Sequence, residues 1–236
     1  PSNLPSYTNK DFSPYRKIGD IGENEEQDPF HYGQSLLKKV SQYEGQEIST
    51  HTFSHFYCME DGQTAEQFEA DLEASLKVNA AFGHPAKSIV FPRNQLNKAY
   101  LPICEKHGIK SFRGNEASWI YKESKFHQEN PMKRVLRLVD CYVNITGHNT
   151  YRLKKVGKEP IINLASSRFL RPYEPKLKSF EKLRLRRIKK SLIPAAQTGE
   201  VYHLWWHPHN FGQEIEENMQ FLTEVLELVS ELTKQY

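Results

Sequence analysis

The stretch SIVFPRNQLNKAYLPICEKHGIKSFRG, residues 88–114, reads as strand, helix, strand. SIVF (88–91) has the composition of a buried strand. Residues 97–107 carry a helical pattern that Gly108 ends, and IKSFRG (109–114) is the next strand candidate. The same alternation runs in both directions. Upstream, EISTH (47–51) has a short strand's composition. Residues 64–82 place Phe68, Leu72, Leu76 and Ala80 at helical spacing, between an N-capping Thr64 and a closing Gly83. Downstream come IINLA (161–165) as a strand and 175–198 as a long basic helix. VYHLWWH (201–207) is the strongest strand of all. The last helix, 213–235, has Ile215, Met219, Leu222, Leu226 and Val229 on one face. Strands alternating with helices imply an α/β fold with a parallel sheet.

The flanks are less regular. Residues 1–30 are rich in Pro, Ser, Asn, Asp and Glu and predict an irregular lead-in lying extended on the surface. A short helix stopped by Gly45 follows from Asp28. The stretch 120–160 shows the weakest pattern, with 133–143 its helical candidate.

Composition bounds the function. The chain has 236 residues, 38% hydrophobic and 26% charged, which suits one sizeable globular domain over 1–236. A net charge of +3 is too small and too dispersed to argue for nucleic acid. Cys58, Cys104 and Cys141 are odd in number and widely spaced, which predicts reduced thiols and a cytoplasmic setting. No apolar run is long enough to span a membrane. The chain opens on Pro1 rather than Met, so a targeting segment is neither seen nor excluded.

In parallel α/β folds, reactive side chains gather where strands end and loops begin. The polar residues of this sequence fall there. His51 and His55 follow the first strand, Arg93 and Asn94 the second, and Arg113, Asn115 and Glu116 the third. Ser166, Ser167 and Arg168 follow the fourth, and His207, His209 and Asn210 the last. The sharpest motif is HTFSH, 51–55. Two imidazoles at this spacing can converge on zinc or another first-row metal, although most such pairs are ordinary surface or core residues.

EISTHTFSH resembles the H-[ST]-x-x-H segment of the NodB-like polysaccharide deacetylases, carbohydrate esterase family four. VYHLWWHPH is similar to the final barrel strand of that family. The resemblance extends loosely over 45–236. It implies a (β/α) barrel of the polysaccharide deacetylase type and hydrolytic removal of N-acetyl groups from a sugar or polysaccharide. It also implies a divalent metal, zinc being the best fit, held by His51 and His55. His207 would be the catalytic acid and Arg93, in FPRNQ, the loop arginine. Trp119, Ser167, Arg168 and His209 would be the substrate contacts, and the partner a carbohydrate. Asp140 or Glu116 would orient a histidine.

The family's opening motif, a strand ending in two acidic residues, has no counterpart before His51. We therefore expect a barrel incomplete at its N-terminal side and an open edge beside EISTH. Asp61 and Glu116 are the fallback candidates for a base. Two alternatives stay open on sequence grounds: a hydrolase of non-peptide C–N bonds in a small molecule, and a non-catalytic carbohydrate-binding relative using Trp205, Trp206 and Phe211 to stack on sugars.

Overall fold

A computed structural model describes residues 1–125, 128, 130–153 and 161–236. The irregular reading of 120–160 therefore falls partly outside the described residues. The chain resolves into two compact units. One is built on Pro1–Arg113 and the strand at Ile162–Asn163; the other contains Gly114–Glu123 and Leu164–Tyr236.

In the first unit, helix α1 is Gln34–Val40 and α2 is Ala65–Ala81. Strand β1 (Ser88–Val90) leads through α3 (Leu101–Lys106) to β2 (Ser111–Arg113), and β3 is Ile162–Asn163. The sheet runs β1-β2-β3, all parallel, with Ile89 opposite Phe112 and Phe112 opposite Asn163. This is the strand–helix–strand arrangement read from 88–114.

Helix α2 starts where the sequence places it. Thr64 accepts from the Gln67 N–H at 3.3 Å, and the Gln67 side chain accepts from the Thr64 N–H at 3.1 Å, a reciprocal capping box. Its inner face buries Phe68 and Leu72 fully against Phe56, Ile89, Phe91, Leu101, Cys104 and Phe112. Phe68 stacks on Tyr100 with ring centroids 4.7 Å apart. Burying a side chain of this size stabilises by about 3 kcal/mol. Ala80, at the end of the predicted stripe, is exposed. Gly83 follows the helix with φ +81°, the left-handed closure that glycine permits without strain.

Two expectations for this unit need correction. EISTH is a strand only at Thr50, which makes a single parallel bridge to Ile89. The next residue but one, Thr52, has φ +65°, so extended pairing cannot continue. The lead-in is also more than a surface segment. Short 3-10 turns form at Lys10–Phe12 and Pro14–Asp20, and Tyr7 is buried against Phe12, Phe56 and Tyr57. Gly62 lets this happen: a Cβ there would lie 2.6 Å from Thr8 N and 2.8 Å from Ser6 O, and its φ is +89°. Among the described residues, no strand pairs with the outer edge of Thr50.

The second unit holds α4 (Pro131–Asp140), β4 (Arg168–Phe169), α5 (Glu181–Thr198), β5 (Leu204–Trp205), α6 (Pro208–Phe211) and α7 (Ile215–Gln235). β4 and β5 are parallel, with Phe169 opposite Trp205. Leu170, Ile188, Phe211, Phe221, Leu222 and Val225 form the core. VYHLWWH shrinks to two strand residues because Val201 instead bridges antiparallel to Tyr151, and Pro208 opens α6. Alternation along it holds: Leu204 and Trp206 pack on the core, while Trp205 and His207 meet on the other side.

The buried face of α7 is rotated from the predicted one. Asn218, Phe221, Leu222, Val225 and Leu232 are inside, while Ile215, Met219 and Leu226 are about half exposed. Asn218 hides the true face from a hydrophobic count. Its carboxamide accepts from the Tyr173 N–H at 2.6 Å and donates to the carbonyls of Gln213 and Glu214. The architecture is α/β with small parallel sheets. Among the described residues the strands of neither unit close into a barrel.

Candidate metal centre

The loop that carries the histidine pair is held residue by residue. The Thr50 hydroxyl hydrogen-bonds to Ser75 of α2 and accepts from the Thr52 N–H at 3.0 Å. The Thr52 hydroxyl accepts from the Phe56 N–H at 2.8 Å. Asp71, fully buried on α2, accepts from the N–H of Phe53 at 2.8 Å and of Ser54 at 3.2 and 3.3 Å. The Tyr7 hydroxyl accepts from the Tyr57 N–H at 2.8 Å. Under these ties Thr52 and His55 both sit in the left-handed region, at φ +65° and +56°. Non-glycine residues stay there only where their surroundings over-determine the backbone, a pattern concentrated at functional sites.

The turn brings the two imidazoles together. His51 and His55 are exposed, with ring centroids 5.0 Å apart. His51 Nδ1 lies 2.7 Å from the Val90 carbonyl. A carbonyl only accepts, so Nδ1 carries the proton and the ring's lone pair is on Nε2. His55 packs edge-on against Tyr57 at 5.1 Å. Two converging imidazoles, one with its tautomer set by a backbone carbonyl, are a donor set of the kind that fits a first-row metal.

Arg93 stands on the neighbouring loop. It is exposed just past β1, and Arg93 and Asn94 have φ +53° and +56°. The Arg113 guanidinium at the end of β2 donates to the Asn94 side chain at 2.6 Å, tying this strained turn to the sheet. Asp61, the first fallback base, is exposed and ion-paired with Lys125 at 2.6 Å.

The second unit groups the remaining candidates differently. His207 is exposed among aromatic rings: Trp205 at 5.3 Å, Phe169 at 6.1 Å and His209 stacked at 5.1 Å. His203 is half-buried, with Nδ1 3.0 Å from the Leu164 carbonyl, as its deeper strand position predicts. Trp119 is 61% exposed, with the Lys133 ammonium 5.9 Å from its ring centre.

Ser167 and Arg168 face inward, being 1% and 2% exposed. Ser167 donates to the Asn149 carbonyl and accepts from the His203 N–H. Arg168 donates to the Asp140 carbonyl at 2.9 Å and carboxylate at 3.3 Å. Their burial gives them a framework role rather than a surface to offer a substrate. Among the described residues no histidine pairs with Asp140: its carboxylate serves Arg168, Arg187, Tyr121, Ile145 and Thr146. Glu116 is buried, and burial pushes its carboxyl above the ordinary value. Its own backbone N–H, Ser166, Trp205 and Arg168 pull the other way.

A cluster absent from the sequence reading lies on the first unit. Glu69 and Glu73 of α2 and His107 bring ligand atoms within 4.8 Å of one another. Lys106 lies 2.6 Å and His107 2.7 Å from Glu69. Glu69 thus already has two cationic or hydrogen-bonding partners, a set complete as an ion-pair group. The signal in the sequence was the i, i+4 glutamate pair; the approach of His107 comes only from tertiary packing.

Residues 20–112 match the family model described as polysaccharide deacetylase. This stretch contains His51, His55 and Arg93, and over it the chain is polysaccharide deacetylase-like, as the histidine motif implies. No curated protein matches the chain. Among solved structures, 4-alpha-glucanotransferase from Thermococcus litoralis is similar at 11% identity and a TM-score of 0.34, covering 52% of this chain. The match takes in 21% of that protein, so the chain spans about a fifth of its length.

Proposed function

We propose that the protein is a metal-dependent hydrolase that removes N-acetyl groups from a sugar or polysaccharide. The observation that carries this reading is the His51–His55 ring pair, held on a strained strand-end loop inside the stretch that matches polysaccharide deacetylases. His51 and His55 would hold the ion, with zinc the first choice for two imidazoles and cobalt, nickel or iron also compatible. When bound, a divalent metal supplies Lewis-acid polarisation of the acyl carbonyl and a water made more acidic.

The remaining steps fall to side chains. The reaction adds water across the amide bond, releasing acetate and a free amine. Arg93, exposed on the turn fixed by Arg113 and Asn94, would donate N–H groups to the oxyanion that develops on the acyl oxygen. His207, the acid that the resemblance implies, would give a proton to the departing amine nitrogen. Exposed His209, stacked on His207, and half-buried Trp205 beside it would offer a face for a sugar.

The test measures bound metal and acetate release from acetylated chito-oligosaccharides, for the chain and for His51→Ala and His207→Ala. We expect His51→Ala to lose metal and activity together. His207→Ala should keep its metal and lose at least about 100-fold in kcat, the scale of a general acid. Acetate release at the wild-type rate from metal-stripped protein would overturn the reading.

A further inference from the structure

We propose that Asp71, which no sequence motif marks, is the positioning residue for the histidine pair. The inference rests on the metal-site reading of His51 and His55. Asp71 is wholly buried on the inner face of α2, beside Phe68 and Leu72, where a carboxylate is out of place unless it is fully bonded. Its partners are all in one place: the N–H groups of Phe53 and Ser54, the two residues between His51 and His55 that follow Thr52.

The geometry explains why a carboxylate is needed. With Thr52 and His55 left-handed, the turn aims consecutive N–H groups into the unit, away from water. A buried N–H without an acceptor is destabilising, and one carboxylate has lone pairs enough for both. Ser75, one turn further along α2, holds the preceding residue, Thr50. Helix α2 thus fixes the loop at two levels, and the Asp71 bonds lie directly between the two imidazoles in sequence. Removing them releases the turn that brings the rings to 5.0 Å. Asp71 acts through the backbone, at the N–H groups of Phe53 and Ser54.

The experiment follows the imidazole protons of His51 and His55 by NMR in the whole chain without added metal, for wild type and for Asp71→Asn and Asp71→Ala. Asparagine keeps one acceptor and the volume but turns a donor toward the second N–H. We expect cross-peaks between the two rings in wild type and their loss in both variants, while near-ultraviolet circular dichroism reports an intact core. Cross-peaks that persist in a folded variant overturn the proposal. Should both variants unfold, amide exchange in wild type decides: Phe53 and Ser54 should be strongly protected, and fast exchange at both overturns it.

A parallel cobalt(II) titration separates this inference from the reading beneath it. His51→Ala should abolish binding, and Asp71→Asn should weaken it roughly 10- to 100-fold, as loss of outer-sphere support does. Unchanged cobalt affinity in Asp71→Asn alongside lost binding in His51→Ala overturns the role of Asp71 and leaves the metal site standing. Wild-type protein that binds no cobalt removes the metal reading, and the ring cross-peaks still decide what Asp71 positions.

Discussion

Asp71 and Asp140 show how much a single buried carboxylate can organise, and they do it differently. Asp71 meets two backbone N–H groups; Asp140 meets two guanidiniums, a phenol, a hydroxyl and two backbone N–H groups. Burial alone would raise the Asp140 pKa, but Arg168 and the donors from Ile145 and Thr146 outweigh it and hold the carboxyl below its usual range. Replacing Asp140 with Ala leaves Arg168 buried without its counter-charge. We expect Asp140→Ala to lower stability by roughly 3–5 kcal/mol in urea denaturation, the scale for breaking one side of a buried pair. A loss near zero would show that the network closes without it. Sequence could mark Asp140 as chemically capable but not assign its partners, since Arg168 lies 28 positions on and meets it only through packing.

The elements were legible in proportion to how local their causes are. Helix α2 was readable because its cap, apolar stripe and closing glycine are all in the sequence window; β1, α3 and β2 were readable from composition and Gly108. The strand ends were not, because Thr52 and Val201 leave extended pairing for reasons set by Ser75 and Tyr151, far away in sequence. The face of α7 was misread because a polar residue, Asn218, sits at its centre. The candidate site divides in the same way: the HTFSH motif names its histidines, and nothing in the sequence names Asp71 as their support. A direct check of the local part is Thr64→Ala. It removes the side-chain half of the capping box and should cost about 1 kcal/mol, seen as a lower melting temperature with the far-ultraviolet spectrum retained.

On the scale of the whole chain, pH should act through opposing groups. The unfolded value for Glu116 is near 4.5 and the folded one higher, so the folded state holds the proton longer and stability falls as pH rises above that value. His148 is the reverse case for a base. Burial, then Arg187 and Arg168, depress its folded value below 6.5, so stability falls as pH drops from there. Asp140 adds a loss only below about 3.8. We expect Glu116→Gln to flatten the melting-temperature profile on the alkaline side of 4.5, and His148→Asn to flatten it on the acid side of 6.5. Unchanged slopes in both variants would mean other groups set the profile.

Gly62 has a consequence of another kind. Its missing side chain is the clearance through which the lead-in reaches Tyr57, and Tyr57 adjoins His55. Any side chain at position 62 would therefore collide with the backbone of Ser6 and Thr8, far earlier in the chain. A mutational census of this chain would record it as intolerant, beside open glycines such as Gly19 that admit a methyl group without collision.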